Sequence, residues 1–310
     1  MYKFLTLVFA FLIFSNEVYG APKHYLMGAI GDSISVAFMA DTSAKAASLS
    51  SLLTKTSEDQ VRATIDKESK LDNRWTLSWT SGNQIQSHFV FLTNYFKKTE
   101  PTSTLEVLNV AVSGAVTEDL LDQANQIVAA TIETNKDGTK KYDSLKYLTF
   151  LIGANDACHG IADEDMKANL NHVFSILNRI KQSEPVRILV SGLPKIPDLG
   201  LSAINNSTGF GGFKCSTIRN ITGTCRALVS WTDNDDYNNK VTYVSDRNRI
   251  LKSAVDAANL KYLNLKIAFN DEIFQQKIVA EELAAECFHP NAIGQETLSK
   301  SLWTAQPWYQ

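Results

Sequence analysis

The feature that most constrains the fold is the alternation of short apolar segments with longer helical patterns. Residues typical of β-strands form five short runs, at Tyr25–Ile30, Leu105–Val110, Tyr147–Ile152, Val186–Val190 and Leu265–Phe269. These runs lack strict polar–apolar alternation, which indicates strands buried on both faces. Helical patterns occur at Gln84–Phe96, Thr117–Thr134, Asp163–Gln182, Asp236–Ala258, Glu272–Glu286 and Ala292–Leu302. We therefore expect an α/β fold in which a parallel sheet lies between two layers of helices.

Residues 1–20 have the pattern of a secretory signal peptide. Lys3 precedes an apolar run from Phe4 to Phe14, and Gly20 ends a plausible cleavage site before Ala21. The run is shorter than the roughly 20 residues that cross a bilayer, although an uncleaved anchor is the alternative. We therefore predict a secreted protein, extracellular or periplasmic, with residues 21–310 as one mature domain.

The composition excludes several classes of partner and cofactor. A net charge of −3 over 310 residues, without a basic stripe, gives no case for nucleic-acid binding. No Cys-x-x-Cys pair, His-x-x-x-His pair or phosphate-binding Gly-Lys-Ser/Thr loop occurs, so neither a metal nor another cofactor is expected. We expect a monomer.

The segment Gly192–Asp235 interrupts the alternation and is called the excursion below. It contains two prolines, a glycine-rich stretch and two of the four cysteines. Long structureless loops are usually functional, so the excursion is interpreted as a lid or substrate-binding segment, with a passive insertion as the alternative. The simplest disulfide pairing is Cys215–Cys225 and Cys158–Cys287, with free buried thiols as the alternative for the second pair.

Gly31-Asp32-Ser33 directly follows the first predicted strand. Open α/β folds keep their sites at the carboxyl ends of strands, so Ser33 is the candidate nucleophile. Alone, such a tripeptide is more often an ordinary turn. Its interpretation depends on a base and on oxyanion donors from later motifs.

His289 is the candidate general base, because imidazole titrates near neutral pH. His24 lies near the mature terminus, and both His88 and His172 lie in helical patterns. His159 is therefore the main competitor.

Glu286 lies three residues before His289 and could orient its ring by accepting the ring N–H. The alternative is an acidic helix end shared with Glu281 and Glu282. An acid near a helix C-terminus is unfavourable to the helix dipole, which favours the orienting role.

Asn155 and Gly114 are the candidate oxyanion donors. Asn155 follows the third predicted strand, and its amide can donate to a developing negative charge. Gly114 lets its backbone N–H approach a substrate, although a turn glycine at a helix start is the alternative. Asp32 and Asp156 are expected to brace their loops by accepting backbone N–H bonds.

Together, these motifs resemble the SGNH, or GDSL-type, hydrolase family over nearly all of the mature chain. The blocks are Gly31-Asp32-Ser33, Asn109-x-Ala111-x-x-Gly114, Gly153-x-Asn155-Asp156 and Glu286-x-x-His289-Pro290-Asn291-x-x-Gly294. The resemblance implies a three-layer α/β/α sandwich with a flavodoxin-like five-stranded parallel sheet of order 2-1-3-4-5. It also implies Ser33 as nucleophile, His289 as base, and an oxyanion hole formed by the Ser33 N–H, the Gly114 N–H and the Asn155 side chain. The family usually has Asp where this chain has Glu286, so either the loop adjusts or a Ser–His dyad operates.

Three further motifs look most like the phospholipase B group: Asp156-Ala157-Cys158, Cys287-Phe288-His289 and Trp75-x-x-x-Trp79-x-x-Gly82. The expected function is that of a secreted serine esterase or lipase acting on phospholipids or lysophospholipids, with transient contact to a membrane or micelle surface. A carbohydrate acetylesterase is the alternative within the same class. A catalytically silent lipid- or glycan-binding protein is the alternative from another class.

Overall fold

The structure is a computed structural model that describes residues 22–42, 57–68 and 73–310. The predicted signal peptide, residues 1–20, lies outside the described residues. None of the helices in the described ranges combines the length and the apolar character needed to cross a membrane.

A five-stranded parallel sheet of order β2-β1-β3-β4-β5 forms the centre of the described chain, as expected. The strands are β1 (His24–Gly31), β2 (Thr104–Asn109), β3 (Ser144–Leu151), β4 (Val186–Ser191) and β5 (Leu265–Asn270). Gly31 of β1 pairs with Leu151 of β3, so these two strands end together at the carboxyl edge of the sheet.

The helices of the described ranges follow and connect these strands. They are α1 (Ser33–Val36), α2 (Glu58–Glu68), α3 (His88–Thr99), α4 (Leu120–Thr131), α5 (Ala154–His159), α6 (Asp163–Leu177), α7 (Ser202–Asn205), α8 (Cys215–Thr222), α9 (Arg226–Val229), α10 (Asn234–Lys261), α11 (Glu272–Gln275) and α12 (Ala292–Thr304). Four 3₁₀ turns accompany them, at Asn73–Leu77, Ile196–Gly200, Phe210–Gly212 and Ala280–Glu282.

Each face of the sheet carries its own apolar cluster. Because side chains alternate along a strand, Leu26 and Ile30 of β1 face one way, against the cluster of α4, α6 and α10. Tyr25 and Met27 face the other way, against the cluster of α3 and α12. Full burial of each such side chain stabilises the fold by about 1.5–3 kcal/mol. The architecture is therefore the expected three-layer α/β/α sandwich.

The helix predicted over Glu272–Glu286 is wrong beyond its first turn. Only α11 and a 3₁₀ turn at Ala280–Glu282 are helical in this segment. The Ala284 N–H donates to the His289 carbonyl, so backbone groups that a helix would pair internally are used across the loop. Glu286 is therefore not at a helix end, and the dipole argument made for it does not apply.

The excursion contains regular structure, contrary to the prediction of a structureless loop. It holds α7, α8 and α9 together with 3₁₀ turns at Ile196–Gly200 and Phe210–Gly212. These elements are only three to eight residues long. Helical periodicity becomes visible only in windows of about 11–18 residues, so the sequence pattern does not reveal them.

The predicted disulfide pairing is also wrong. The bonds join Cys158 to Cys225 and Cys215 to Cys287, with Cα–Cα distances of 4.8 and 5.3 Å. Cys215 begins α8, and a helix rises about 1.5 Å per residue, so the helix carries the chain away from Cys215 before it reaches Cys225. Each cysteine beside a catalytic motif is thus bonded to the excursion, and the two motif loops are not bonded to each other.

Candidate active site

Ser33 is the first residue of α1, in the turn that leaves β1. Asp32 caps this helix, since its Oδ1 accepts the Ile34 N–H at 2.9 Å. A Cβ on Gly31 would lie 2.3 Å from the Leu151 carbonyl oxygen, so the close approach of β1 and β3 requires glycine there. The turn therefore presents Ser33 at the carboxyl edge of the sheet.

Two amide side chains brace α1 from other parts of the chain. Asn109 Nδ2 donates to the Ser35 carbonyl at 2.8 Å, and Gln295 Nε2 donates to the Ile34 carbonyl at 3.0 Å. Asn109 belongs to a recognised motif, but sequence reasoning assigned it no role. Gln295 carries no local signal, because its contact depends on the docking of α12 against α1.

His289 connects Ser33 to Glu286. Its Nε2 lies 2.8 Å from Ser33 Oγ, and its Nδ1 lies 3.2 Å from Glu286 Oε1. If Nδ1–H donates to the carboxylate, the Nε2 lone pair is left to accept the Ser33 O–H. The Phe38 ring packs edge-on against the imidazole, with the two ring centroids 4.8 Å apart, and restricts the imidazole. This arrangement can activate a serine hydroxyl.

The loop before His289 brings the Glu286 carboxylate to the imidazole. Glu286 is 5% exposed, and its Oε1 also accepts the His289 backbone N–H at 2.7 Å. The intervening Cys287 has a left-handed φ of +66°. Of the two arrangements left open by the sequence, the geometry is that of a carboxylate that reaches the imidazole.

Ser33, Gly114, Asn155 and His289 line one open cleft of about 400 Å³. Within the described residues, neither the Ser33 N–H nor the Gly114 N–H has an acceptor. Gly114 has a φ of +82°, a conformation that favours glycine. Asn155 Nδ2 donates to the Ala115 carbonyl at 2.9 Å, which uses one of its two hydrogens. Three residues that line this cleft therefore carry an N–H group free to donate to a substrate.

Asp156 braces the Gly114 loop, as expected. Its carboxylate accepts the Thr117 N–H at 3.0 Å and the Thr117 hydroxyl at 2.6 Å. Burial raises the pKa of Asp156, and the two bonds from Thr117 oppose that rise. The loop that carries Asn155 and the loop that carries Gly114 are thereby held together.

The other histidines take no part in this arrangement. His159 lines the same cleft, but the side-chain partner of Ser33 is His289. His88 is fully buried beside Trp79 and Tyr147, and burial lowers its pKa to about 3. Within the described ranges, no group of three or more His, Cys, Asp or Glu side chains is placed to hold a metal ion.

A second, apolar cavity adjoins the cleft at Phe288 and His289. Its volume is about 100 Å³. Its wall includes Ile34 and Ala154, which are the chain neighbours of Ser33 and Asn155, together with Ile196, Leu199, Ile278 and Leu298. Small apolar cavities of this order accept apolar groups.

Asp32 should make stability depend on pH. Burial raises its pKa from 3.8 to about 7, so between these values the folded state holds a proton that the unfolded state has lost. Stability should therefore fall as pH rises through this window. In Asp32→Asn this loss is absent, and the unfolding free energy relative to wild type should rise by about 2–3 kcal/mol between pH 5 and 8.

Urea unfolding of both proteins at the two pH values measures this effect. Asp122→Asn, at an exposed position of α4, is the matched control and should show no such trend. A difference between Asp32→Asn and wild type that does not vary with pH would contradict the prediction.

A family model described as GDSL-like Lipase/Acylhydrolase matches residues 27–302 of the chain. No curated protein matches the sequence significantly. Similar solved structures include TesA, with 13% identity, coverage of 90% of this chain and 96% of that chain, and a TM-score of 0.48. Another is a catalytic mutant of Axe2, an acetylxylan esterase from Geobacillus stearothermophilus, with 13% identity, 93% and 96% coverage, and a TM-score of 0.46. A lipolytic G-D-S-L family protein from Veillonella parvula has 10% identity, 91% and 97% coverage, and a TM-score of 0.45. With TM-scores below 0.5, these three structures do not indicate the substrate of this chain.

Proposed function

Because the chain belongs to the GDSL-like lipase/acylhydrolase family and is a carboxylic ester hydrolase, we propose that it cleaves fatty-acyl esters, with phospholipids or lysophospholipids as its substrates. The observation that carries the proposal is the apolar cavity that adjoins the Ser33–His289 pair. An enzyme for acetyl esters would not need such a space for its acyl group.

The proposed mechanism uses the geometry of the cleft. Ser33 Oγ attacks the ester carbonyl while His289 Nε2 takes its proton, and the imidazolium formed is stabilised by Glu286. The N–H groups of Ser33 and Gly114 and the amide of Asn155 donate to the oxyanion. His289 then protonates the leaving alcohol, and a water activated by the same imidazole hydrolyses the acyl-enzyme.

The two adjoining spaces suit the two halves of such an ester. The apolar cavity would take the acyl chain, because burial of each CH₂ contributes about 0.8 kcal/mol. The open cleft is lined by the polar residues Ser113, Thr222 and Thr224, which suit a hydrated alcohol or headgroup. Positions from the excursion thus face the leaving-group side.

Chain-length preference tests the proposal. Wild type should hydrolyse p-nitrophenyl octanoate with a kcat/KM at least tenfold above that for the acetate, and should release fatty acid from lysophosphatidylcholine. Ile278→Trp fills the cavity and should lower octanoate turnover by about tenfold or more, with acetate turnover little changed. Ile293→Trp makes the same substitution at a position that is 61% exposed and should leave both rates unchanged.

The other outcomes are equally informative. Turnover of acetyl esters alone, including an acetylated sugar, would overturn the lipid proposal in favour of a carbohydrate acetylesterase. An absence of Ser33-dependent hydrolysis of every ester would indicate a silent binding protein.

Export is also part of the proposal. The two disulfides support it, because such bonds persist in oxidising compartments. Residues 1–20 would then be removed as the signal peptide, and the mature monomer would meet its substrate at a membrane or micelle surface.

A further inference from the structure

Helix α8 of the excursion holds the loop of the catalytic base at two points. Cys215 and Arg219 lie four residues apart, and therefore on one face of α8. Cys215 forms the disulfide to Cys287, and Arg219 Nη1 donates to the Cys287 carbonyl at 3.0 Å. Both the side chain and the backbone of Cys287 are thus bound to the same helix.

Cys287 occupies a conformation that needs such support. Its φ of +66° is left-handed, which costs a non-glycine residue about 1–2 kcal/mol. This residue separates Glu286 from the Phe288-His289 pair. The turn it makes lets the Glu286 carboxylate accept the His289 backbone N–H at 2.7 Å and lie 3.2 Å from its ring Nδ1. The contacts that α8 makes with Cys287 therefore affect the distance between the Glu286 carboxylate and the His289 ring.

Arg219 also places a positive charge beside Glu286. Arg219 is 3% exposed and Glu286 is 5% exposed, so their attraction is weakly screened. Burial lowers the pKa of Arg219 to about 10, and the Glu286 carboxylate partly offsets that effect. The guanidinium is thus charged at neutral pH, and its Nη2 is fixed by a bond to Asn205 Oδ1.

We propose that Arg219 is a positioning residue of the esterase site, which holds the Cys287 turn and thereby sets the Glu286 carboxylate against His289. The bidentate reach of arginine suits this task, because one nitrogen binds the turn and another is anchored at Asn205 in α7. The excursion is then neither a passive insertion nor solely a wall of the cleft. It completes the catalytic geometry from outside the four family motifs.

The inference rests on the proposed serine mechanism, so the test uses whichever p-nitrophenyl ester wild type hydrolyses best. Arg219→Gln should lower kcat by about tenfold or more with KM unchanged, because substrate contacts lie elsewhere. Arg219→Lys keeps the charge and should recover part of that loss. Arg226→Gln, at an exposed position of the neighbouring α9, is the matched control and should behave as wild type.

Thermal unfolding shows whether each variant is folded. If Arg219→Gln does not fold, Asn205→Ala decides the question: it frees Nη2 without touching Glu286 and should lower kcat several-fold at constant KM. Wild-type kcat in folded Arg219→Gln, or in Asn205→Ala where Arg219→Gln does not fold, would overturn the proposal, as would a loss confined to KM. A wild-type protein with no ester turnover would instead refute the proposed function.

Discussion

Ser33→Ala should abolish ester hydrolysis, with a loss in kcat of about 10⁵-fold or more for every ester that wild type cleaves. Alanine lacks the Oγ that lies 2.8 Å from His289 Nε2, so the attacking atom and its transferable proton are both removed. The fold should be unaffected, because within the described residues that hydroxyl bonds only to His289. Steady-state rates with p-nitrophenyl esters measure the effect, and thermal unfolding confirms the fold.

Ser35→Ala is a matched control for this experiment. Ser35 lies two residues away on the same short helix, and its buried hydroxyl has no hydrogen-bond partner among the described residues. Its removal should leave kcat within a few-fold of wild type. Hydrolysis that persists in Ser33→Ala but disappears in Ser35→Ala would place the nucleophile elsewhere.

Glu286→Gln should lower kcat by at least a hundredfold, towards the roughly 10⁴-fold loss seen when a triad carboxylate becomes an amide. Glutamine is close in shape, but its amide cannot stabilise an imidazolium, and its NH₂ group favours the wrong imidazole tautomer. The distance of 3.2 Å from Glu286 Oε1 to His289 Nδ1 is the contact at stake. Measurement of kcat and KM separately should assign the loss to kcat.

Two further substitutions sharpen this prediction. Glu286→Asp keeps the charge at the position where the family usually has aspartate, and it should be tolerated. Glu281→Gln removes an exposed carboxylate from the same loop and should have little effect. Near-wild-type turnover by Glu286→Gln would mean that Ser33 and His289 work as a dyad.

The sequence predicts those parts of the site that depend on local signals. The strands are short apolar runs, and the turns after β1 and β3 place Ser33 and Asn155 at one edge of a parallel sheet. Their relation to His289 follows from the family resemblance together with the strand order. Local chemistry also predicts the bracing roles of Asp32 and Asp156, which accept the backbone N–H groups of Ile34 and Thr117.

What the sequence does not predict depends on contacts between distant segments. The path of Glu286 is set by two backbone bonds, from the Ala284 N–H to the His289 carbonyl and from the Asn291 N–H to the Glu282 carbonyl, which override the helical pattern. The role proposed for Arg219 has no motif, because its partner Cys287 lies 68 residues further along the chain. The predicted disulfide pairing is wrong for the same reason. Cys215 and Cys225 are close in sequence, but α8 lies between them and separates their thiols.

The two disulfides interlace, because Cys215 lies between Cys158 and Cys225 in the chain while its own partner Cys287 lies beyond them. When Cys225 is made, Cys215 is only ten residues behind it, whereas its proper partner Cys158 is 67 residues behind. Loop closure alone favours the nearer and wrong partner by about 2 kcal/mol. Formation of α8 opposes that error by separating the two thiols, and the native partner of Cys215 is Cys287, the last cysteine to be made. The loop of the catalytic base is therefore the last part of this framework that can be locked.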